Sequence, residues 1–142
     1  NIGYVFQKLN LIEALTAEEN ILLAGYFAGS DMAELKKRAA GLLERVGLAN
    51  KKDTLPGKLS IGEQQRIAVV RAVINKPVLL LADEPTASLD AENSRIVLGL
   101  LRGLCSENGT ALILSTHDES VKEQFDEWFD IKGGRFITHE HH

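Results

Sequence analysis

The chain has 142 residues, of which 44% are hydrophobic and 25% charged, a balance typical of one globular domain and unlike disordered, collagen-like or disulfide-rich chains. Lys and Arg total 16 against 20 Asp and Glu, and the resulting net charge of -4 lacks the basic footprint of a nucleic-acid-binding protein. The single Cys105 leaves no internal disulfide and favours a reducing compartment, and no apolar run has the roughly 20 residues needed for direct membrane insertion.

The chain begins with a predicted strand. Ile2 to Phe6 are mostly β-branched or aromatic and run into polar Gln7 and Lys8, which favours a short strand followed by a loop over residues 2–9. The first residues have neither an initiator Met nor the charged-then-apolar order of a signal peptide. We therefore expect this strand to belong to a longer sequence that begins upstream of Asn1.

Three pairs of residues have the spacing of a helix N-cap and its third-position acid, whose side chains bond to each other's backbone. They are Thr16 with Glu19, Asp31 with Glu34, and Ser60 with Glu63. Each pair predicts a helix start, and apolar residues at helical spacing follow the second and third. Because residues 10–58 show no strand signal, we expect a helical insertion and assign residues 10–76 to an α-helical subdomain.

The remaining chain alternates strands and helices. Val78 to Ala82 is continuously apolar, which predicts a strand of a parallel sheet buried on both faces. A helix is predicted from about Ala91 to Leu104, a second buried strand over Ala111 to Leu114, and a hairpin over Trp128 to Thr138 turning at Gly133-Gly134. This alternation predicts an α/β fold with residues 77–142 in its core. The His-rich tail is not expected to bind a metal.

The strongest chemical signal is a pair of adjacent carboxylates. Asp83 and Glu84 directly follow an apolar strand, and ligands of open α/β sheets bind beyond the carboxyl ends of strands. One acid at such a place can hold Mg²⁺ while the next polarises an attacking water. A solvated acidic turn would give the same pair, so the pair alone leaves both interpretations open.

Four motifs, in this order and at this spacing, resemble those of the ABC ATPases. They are LSIGEQQR from Leu59, LLLADEP from Leu79, SLD from Ser88 and STHD from Ser115. The resemblance covers nearly the whole chain. It implies a P-loop NTPase core with a parallel sheet and an inserted α-helical subdomain, and a transporter subunit that binds and hydrolyses ATP with Mg²⁺.

Four residues match family positions that act on the nucleotide. Asp83 matches the Mg²⁺-binding acid, Glu84 the catalytic base, and His117 the switch histidine that contacts the γ-phosphate. Gln7 matches the glutamine that touches Mg²⁺ and the attacking water and senses the transmembrane partner. The resemblance therefore places a catalytic and metal-binding site on these four side chains.

Four other residues match positions that face a second subunit. Ser60 and Gly62, with Gln64 in the same motif, match the signature sequence, which contacts ATP held by the opposite subunit. Asp90 matches an aspartate at the dimer interface. The resemblance implies that the complete protein is a homodimer that also binds transmembrane permease subunits.

The chain departs from the family pattern in two ways. Ile61 stands where Gly is commonest and Glu63 where Gln is common, a variation we expect to be tolerated. No segment matches G-x-x-x-x-G-K-[ST], the phosphate-binding loop, and Gly57-Lys58 lacks both the earlier Gly and the following Ser or Thr. We expect the chain, as a truncated core, neither to hydrolyse ATP nor to stay monomeric, because unpaired strands beside exposed apolar side chains favour self-association.

The leading functional hypothesis is the ATPase subunit of an exporter, cytoplasmic and peripheral on the inner face of the cell membrane through its permease partners. The stretches FQKLNLIEALTAEENI and LADEPTASLD resemble the subgroup serving lipoprotein release and macrolide export. One alternative is a soluble ABC ATPase of DNA repair or translation, which the single cassette and the short spacing from Gln7 to the signature disfavour. Another is a non-enzymatic chain that retains only an interaction surface.

Overall fold

The central sheet has three parallel strands. The computed structural model describes residues 1–133 and 135–138. Strands β1 (Ile2–Val5), β2 (Leu79–Asp83) and β3 (Ala111–Ser115) pair in the order β1-β2-β3. The register sets Val5 beside Ala82 and Asp83 beside Ser115, so the carboxyl ends of all three strands lie at one edge. The predicted α/β fold with a parallel sheet is confirmed.

Among the described residues, four α-helices lie between these strands in the chain, and two of them cover the sheet. Their bounds are α1 (Ala17–Phe27), α2 (Met32–Arg45), α3 (Ile61–Val73) and α4 (Ala91–Asn108), with short 3-10 helices at Ala49–Lys51, Pro56–Lys58 and Glu119–Gln124. Thr16, Asp31 and Ser60 are the N-caps of the first three helices, so the three predicted helix starts are confirmed. The fourth helix runs four residues beyond its predicted end and stops where Gly109 takes a φ of 65°.

Helix α3 separates two hydrophobic clusters. On one side, Ile67, Val70 and Ile74 pack with apolar residues of α1 and α2. On the other side, Val69 and Val73 pack with the sheet and α4. Because α3 contributes to both clusters, it is the element through which the helical segment and the sheet are held together.

Among the residues that the structure describes, no helix packs on one of the two faces of the sheet. Leu80 and Ala82 are buried under α3 and α4, whereas Tyr4 and Ile113 on the opposite face are 45% and 60% exposed. The predictions that β2 is buried on both faces and that β3 is a second buried strand are therefore wrong. Both strands alternate buried or half-buried residues with more exposed ones, because the described helices pack on a single face.

A separate antiparallel hairpin follows the sheet. Strands β4 (Phe129–Lys132) and β5 (Arg135–Thr138) pair with Phe129 opposite Thr138, which confirms the predicted hairpin. Gly133 has a φ of 57°, a left-handed conformation that glycine adopts without strain. Gly134, the other predicted turn residue, and the His-rich tail at 139–142 lie outside the described residues.

Two further observations bear on the sequence-based expectations. Within residues 1–133 and 135–138, no helix combines the length and apolar character needed to cross a bilayer. Cys105 is a buried member of the cluster beneath the sheet, as predicted for a small core residue, and burial raises the pKa of its thiol.

Candidate functional site

The carboxyl edge of β2 and β3 holds the paired acids. Asp83 is the last residue of β2, and its Oδ1 accepts a hydrogen bond of 2.7 Å from Oγ of Ser115, the residue beside it at the end of β3. The backbone N–H of Glu84 donates to the carbonyl of the same Ser115 at 2.9 Å. Ser115 therefore fixes both the first carboxylate and the backbone of the second.

Glu84 has an unusual backbone conformation. Its φ is 48°, in the left-handed region that a non-glycine residue enters at a cost of about 1–2 kcal/mol. Such strain persists only where the surrounding structure enforces it, and it is common at functional sites. Here the strand pairing of β2 with β3 and the bond to Ser115 enforce it.

Glu84 and His117 face each other across the ends of two strands. Nε2 of His117 lies 3.1 Å from Oε1 of Glu84. The Glu84 side chain is 17% exposed, whereas the His117 side chain is 99% exposed. The carboxylate is therefore shielded, and the imidazole projects outward from the edge with one nitrogen directed at that carboxylate.

Gln7 completes this group. It follows β1, whose carboxyl end lies at the same edge as Asp83, and it is exposed. A cavity of about 1020 Å³ is lined by Gln7, Asp83, Glu84 and His117 together with neighbouring residues. The structure thus brings together the four residues that the sequence assigned to catalysis and metal binding.

The start of α3 forms a different kind of site. Oγ of Ser60 accepts from the N–H of Glu63 at 3.1 Å, and Oε1 of Glu63 accepts from the N–H of Ser60 at 3.0 Å. Nζ of Lys51 lies 3.5 Å from Oε2 of Glu63. The bond to the Ser60 backbone, with the charge of Lys51, holds the pKa of Glu63 below its usual value. Since Ser60 Oγ accepts in this cap, its own hydrogen remains available to donate outward.

Gly62 lies where α3 meets α4. A Cβ added at Gly62 would be 2.6 Å from Oδ1 of Asn93, so a larger residue would displace that side chain. Asp90 is the N-cap of α4, and its Oδ1 accepts from the N–H of Asn93 at 2.8 Å. The two helix starts are therefore packed together at Asn93.

Gln64 has backbone partners of its own. Its Nε2 donates to the carbonyls of Pro56 at 2.9 Å and Leu59 at 3.2 Å, which secures the turn before α3. It also lines a second cavity of about 410 Å³ with Gln7 and Glu84. Ser60, Gly62 and Asp90 line neither of these two cavities.

Sequence reasoning missed two residues that position the site. Ser115 lies in the STHD motif without a predicted role of its own, and its bond to Asp83 joins residues 32 positions apart. Arg71 interrupts the apolar surface of α3, and its side chain reaches the loop that follows Gln7. A charged residue among buried helix positions was the one available signal for Arg71.

Comparison with known proteins gives consistent relatives. The family model described as "ABC transporter" matches residues 1–87. The lipoprotein-releasing system ATP-binding protein LolD of Shewanella denitrificans is 40% identical over 142 residues, which are 100% of this chain and 61% of that protein. An uncharacterized ABC transporter ATP-binding protein of Mycobacterium tuberculosis is 45% identical over 96% of this chain and 55% of its own length. The chain thus spans between 55% and 61% of the length of these two relatives.

Two solved structures have the same fold. The dimeric structure of MJ0796, a bacterial ABC transporter cassette, matches with a TM-score of 0.83 and 36% identity. The match covers 97% of this chain and 62% of the other. The dimeric post-hydrolysis state of the same cassette bound to ADP and Pi matches with a TM-score of 0.80 at the same identity and coverage.

Proposed function

Since the chain belongs to the ABC transporter family, we propose that it carries the hydrolytic and partner-facing groups of a transporter subunit that binds and hydrolyses ATP. The observation that carries this proposal is the convergence of Gln7, Asp83, Glu84 and His117 on one cavity at the carboxyl edge of a parallel sheet. Ligands of open α/β sheets bind at that edge. The side chains gathered there, which are two carboxylates, an amide and an imidazole, suit phosphoryl transfer to water.

Asp83 and Gln7 are the proposed Mg²⁺-binding residues. Mg²⁺ prefers oxygen ligands, and an exposed carboxylate and an exposed amide lining one cavity are a suitable donor set. The bond from Ser115 uses Oδ1 of Asp83, and the other carboxylate oxygen has no hydrogen bond to the described part of the chain. Bound Mg²⁺ would neutralise phosphate charge.

Glu84 is the proposed general base. Its shielded carboxylate lies at the cavity wall, and a positioned base contributes about 100- to 10,000-fold in rate. His117 would hold the terminal phosphate, since its exposed ring projects from the same edge and one nitrogen lies close to Glu84.

Ser60, Gly62, Gln64 and Asp90 are proposed to face a second subunit. Ser60 lies at the positive end of α3, where backbone amides and the helix dipole favour phosphate, and its hydroxyl hydrogen is available. It does not line the cavity of Asp83 and Glu84, which favours action on a nucleotide held elsewhere. The MJ0796 cassette is dimeric, and we propose the same homodimeric arrangement here.

The cellular role that we propose is export. The LolD relative belongs to a lipoprotein-releasing system, and we infer that this subunit likewise acts on the cytoplasmic face of a membrane through permease partners. We propose that residues 2–9 form the strand and glutamine loop, residues 10–76 the helical subdomain, and residues 77–142 part of the catalytic core. The buried residues of α1 and α2 lie in one cluster and those of β1, β2 and α4 in the other, which supports this division, and α3 contributes to both.

Glu84→Gln tests the proposed function. In the protein expressed from its complete reading frame, this variant should lose about 100- to 10,000-fold in ATP turnover while binding of ATP stays near wild type. Glu92→Gln, an exposed acid in the first turn of α4, is the matched control and should keep full turnover. Wild-type turnover in Glu84→Gln would refute the assignment of the base.

A mixing experiment tests the role of Ser60. In the protein expressed from its complete reading frame, Ser60→Ala is mixed with Glu84→Gln, and the mixture should regain hydrolysis through one composite site that combines Glu84 of the first variant with Ser60 of the second. Neither variant alone should do so. Absence of recovered turnover in a mixture with demonstrated dimers would contradict action in trans.

The 142-residue chain by itself is proposed to self-associate and to lack ATP turnover. The uncovered sheet face exposes Ile2 and Tyr4 on β1 and Ile113 on β3, with Leu81 of β2 paired between Tyr4 and Ile113, and contiguous apolar surface favours association. Sedimentation of this chain should show species larger than a monomer, and an ATPase assay should show no Mg-dependent turnover. A stable monomer with turnover would refute both expectations.

A further inference from the structure

Arg71 connects α3 to the loop that follows Gln7. Its Nη1 donates to the backbone carbonyl of Asn10 at 3.1 Å, and its Nη2 donates to the carbonyl of Leu9. Leu9 and Asn10 are the second and third residues after Gln7. A guanidinium presents its donors in a rigid, planar fork, so two bonds to adjacent carbonyls restrict both the position and the orientation of this segment.

The same loop has a second anchor on α1. Asn20 is buried, its Oδ1 accepts from the N–H of Ile12 at 2.8 Å, and its Nδ2 donates to the carbonyl of Ile12 at 3.2 Å. Between the two anchors, Asn10 takes a φ of 53°, a left-handed conformation that neighbouring contacts must maintain. Arg71 is the anchor nearer to Gln7 in the chain.

Arg71 and Ser60 belong to one continuous helical unit. They are 11 residues apart, so a straight helix of 1.5 Å rise per residue separates them by about 16 Å. Strand β1, which leads into Gln7, packs against the same end of α3: a Cβ at Gly3 would be 2.5 Å from the carbonyl oxygen of Ala72. The end of α3 opposite Ser60 therefore contacts the chain both before and after Gln7.

We propose that Arg71 is a positioning residue that fixes Gln7 relative to the helix bearing Ser60, so that a displacement of either end is transmitted to the other. This inference rests on the proposed functions of Gln7 and Ser60. In this proposal Arg71 contacts no reacting atom. Its role is to make the glutamine loop and α3 move as one body. This links the proposed metal-binding edge to the surface that is proposed to face a second subunit.

Arg38 provides a matched control for this proposal. Its Nη2 also donates to a backbone carbonyl at the same end of α3, that of Ile74. Arg38 lies on α2 and makes no bond to the glutamine loop among the bonds of the described residues. Removing it therefore costs one arginine–carbonyl bond, against two for Arg71, without releasing the segment after Gln7.

Trypsin can report the motion of this loop directly, because Lys8 is exposed and lies between Gln7 and Leu9. In the protein expressed from its complete reading frame, we expect Arg71→Ala to raise the rate of cleavage after Lys8 about tenfold, since a loop loses charged hydrogen bonds that oppose its opening. Arg71→Lys keeps the charge but replaces the planar fork with one ammonium nitrogen, and it should give an intermediate rate. Arg38→Ala should leave the rate unchanged.

Cleavage after Lys36, an exposed residue within α2, reports global unfolding in the same digest. Because Arg71→Ala and Arg38→Ala both lose bonds to backbone carbonyls, any rise at Lys36 should be similar in the two, and the rise at Lys8 in Arg71→Ala should exceed it. An unchanged rate at Lys8 in Arg71→Ala, or an equal rise at Lys8 and Lys36, would overturn the proposal, because the second outcome indicates a merely structural role.

Steady-state ATP turnover gives the functional readout. Arg71→Ala should lower kcat about tenfold with the KM for ATP within about twofold of wild type, and Arg71→Lys should recover part of the loss. A change confined to KM would overturn the proposal. If Gln7→Ala has full turnover, the proposed function of Gln7 fails, whereas the proteolysis result at Lys8 still decides whether Arg71 holds the loop.

Discussion

The carboxyl edge of the sheet and the start of α3 reach their geometry by opposite routes. At the edge, Asp83 and Ser115 meet because two strands pair in parallel, and Glu84 is held in a left-handed conformation. At the helix start, Ser60 and Glu63 satisfy each other's backbone within four residues and without strain. The difference shows that the strained group depends on distant segments, whereas the capped helix start needs only its own sequence.

The largest effect on the free energy of unfolding is expected from truncating a buried side chain of β2, the strand that ends at the carboxyl edge. Leu80 is fully buried in the middle of β2, so Leu80→Ala should lower the free energy of unfolding by about 2–5 kcal/mol. Hydrogen exchange should quicken at residues 79–84 more than at residues 60–64. Leu35→Ala truncates an equally buried side chain in the other cluster, and it should not quicken hydrogen exchange at residues 79–84 more than at residues 60–64. Equal patterns in the two variants would contradict the comparison.

Glycine at position 84 should relieve the strain. Glu84→Gly and Glu84→Ala both remove the carboxylate, but only glycine adopts a φ of 48° freely. The free energy of unfolding of Glu84→Gly should exceed that of Glu84→Ala by about 1–2 kcal/mol in urea denaturation. Identical stabilities would show that the backbone at this edge is not strained.

The cap at Ser60 should contribute a smaller, local amount. Ser60→Ala removes the acceptor for the N–H of Glu63 and should lower the free energy of unfolding by about 1 kcal/mol. Ser88→Ala, an exposed serine in the loop before α4, serves as the control and should be near neutral. If both variants have wild-type stability, the cap does not hold α3.

The charge of Glu63 should have the smallest effect and should depend on pH. Glu63→Gln can still accept from Ser60 but loses the attraction to Lys51, so we expect a loss of about 0.5 kcal/mol at pH 7. Because folding lowers the pKa of Glu63 below 4.5, its stabilisation is complete above that value and is lost as pH falls through the lower folded-state pKa. The difference between variant and wild type should therefore shrink in urea titrations as the pH falls below 4.5. A difference that grows in acid would contradict the sign.

The comparison also explains what could be predicted from the sequence. The caps at Thr16, Asp31 and Ser60 are signals contained within four residues, and all three helix starts were predicted correctly. The parallel order of strands followed from their alternation with helices. The roles of Asp83 and His117 came from a family resemblance rather than from local chemistry, and they remain proposals.

Interactions between distant segments could not be predicted in the same way. The bond from Ser115 to Asp83 depends on the register of two strands, and the bonds from Arg71 depend on where a loop crosses a helix end. The burial of β2 was misjudged because a continuously apolar strand does not reveal which of its faces a neighbouring helix covers. Each of these features requires the tertiary arrangement.

Chemical labelling of the buried Cys105 can report the opening of the hydrophobic cluster under the sheet. Its thiol is the only one in the chain, and burial together with a raised pKa slows its reaction with alkylating reagents in the native state. The rate of labelling therefore counts how often α4 separates from the sheet. A cysteine introduced at an exposed position would react much faster than Cys105. A spectroscopic label can therefore be attached to the surface, while Cys105 remains unlabelled as a reporter of core opening.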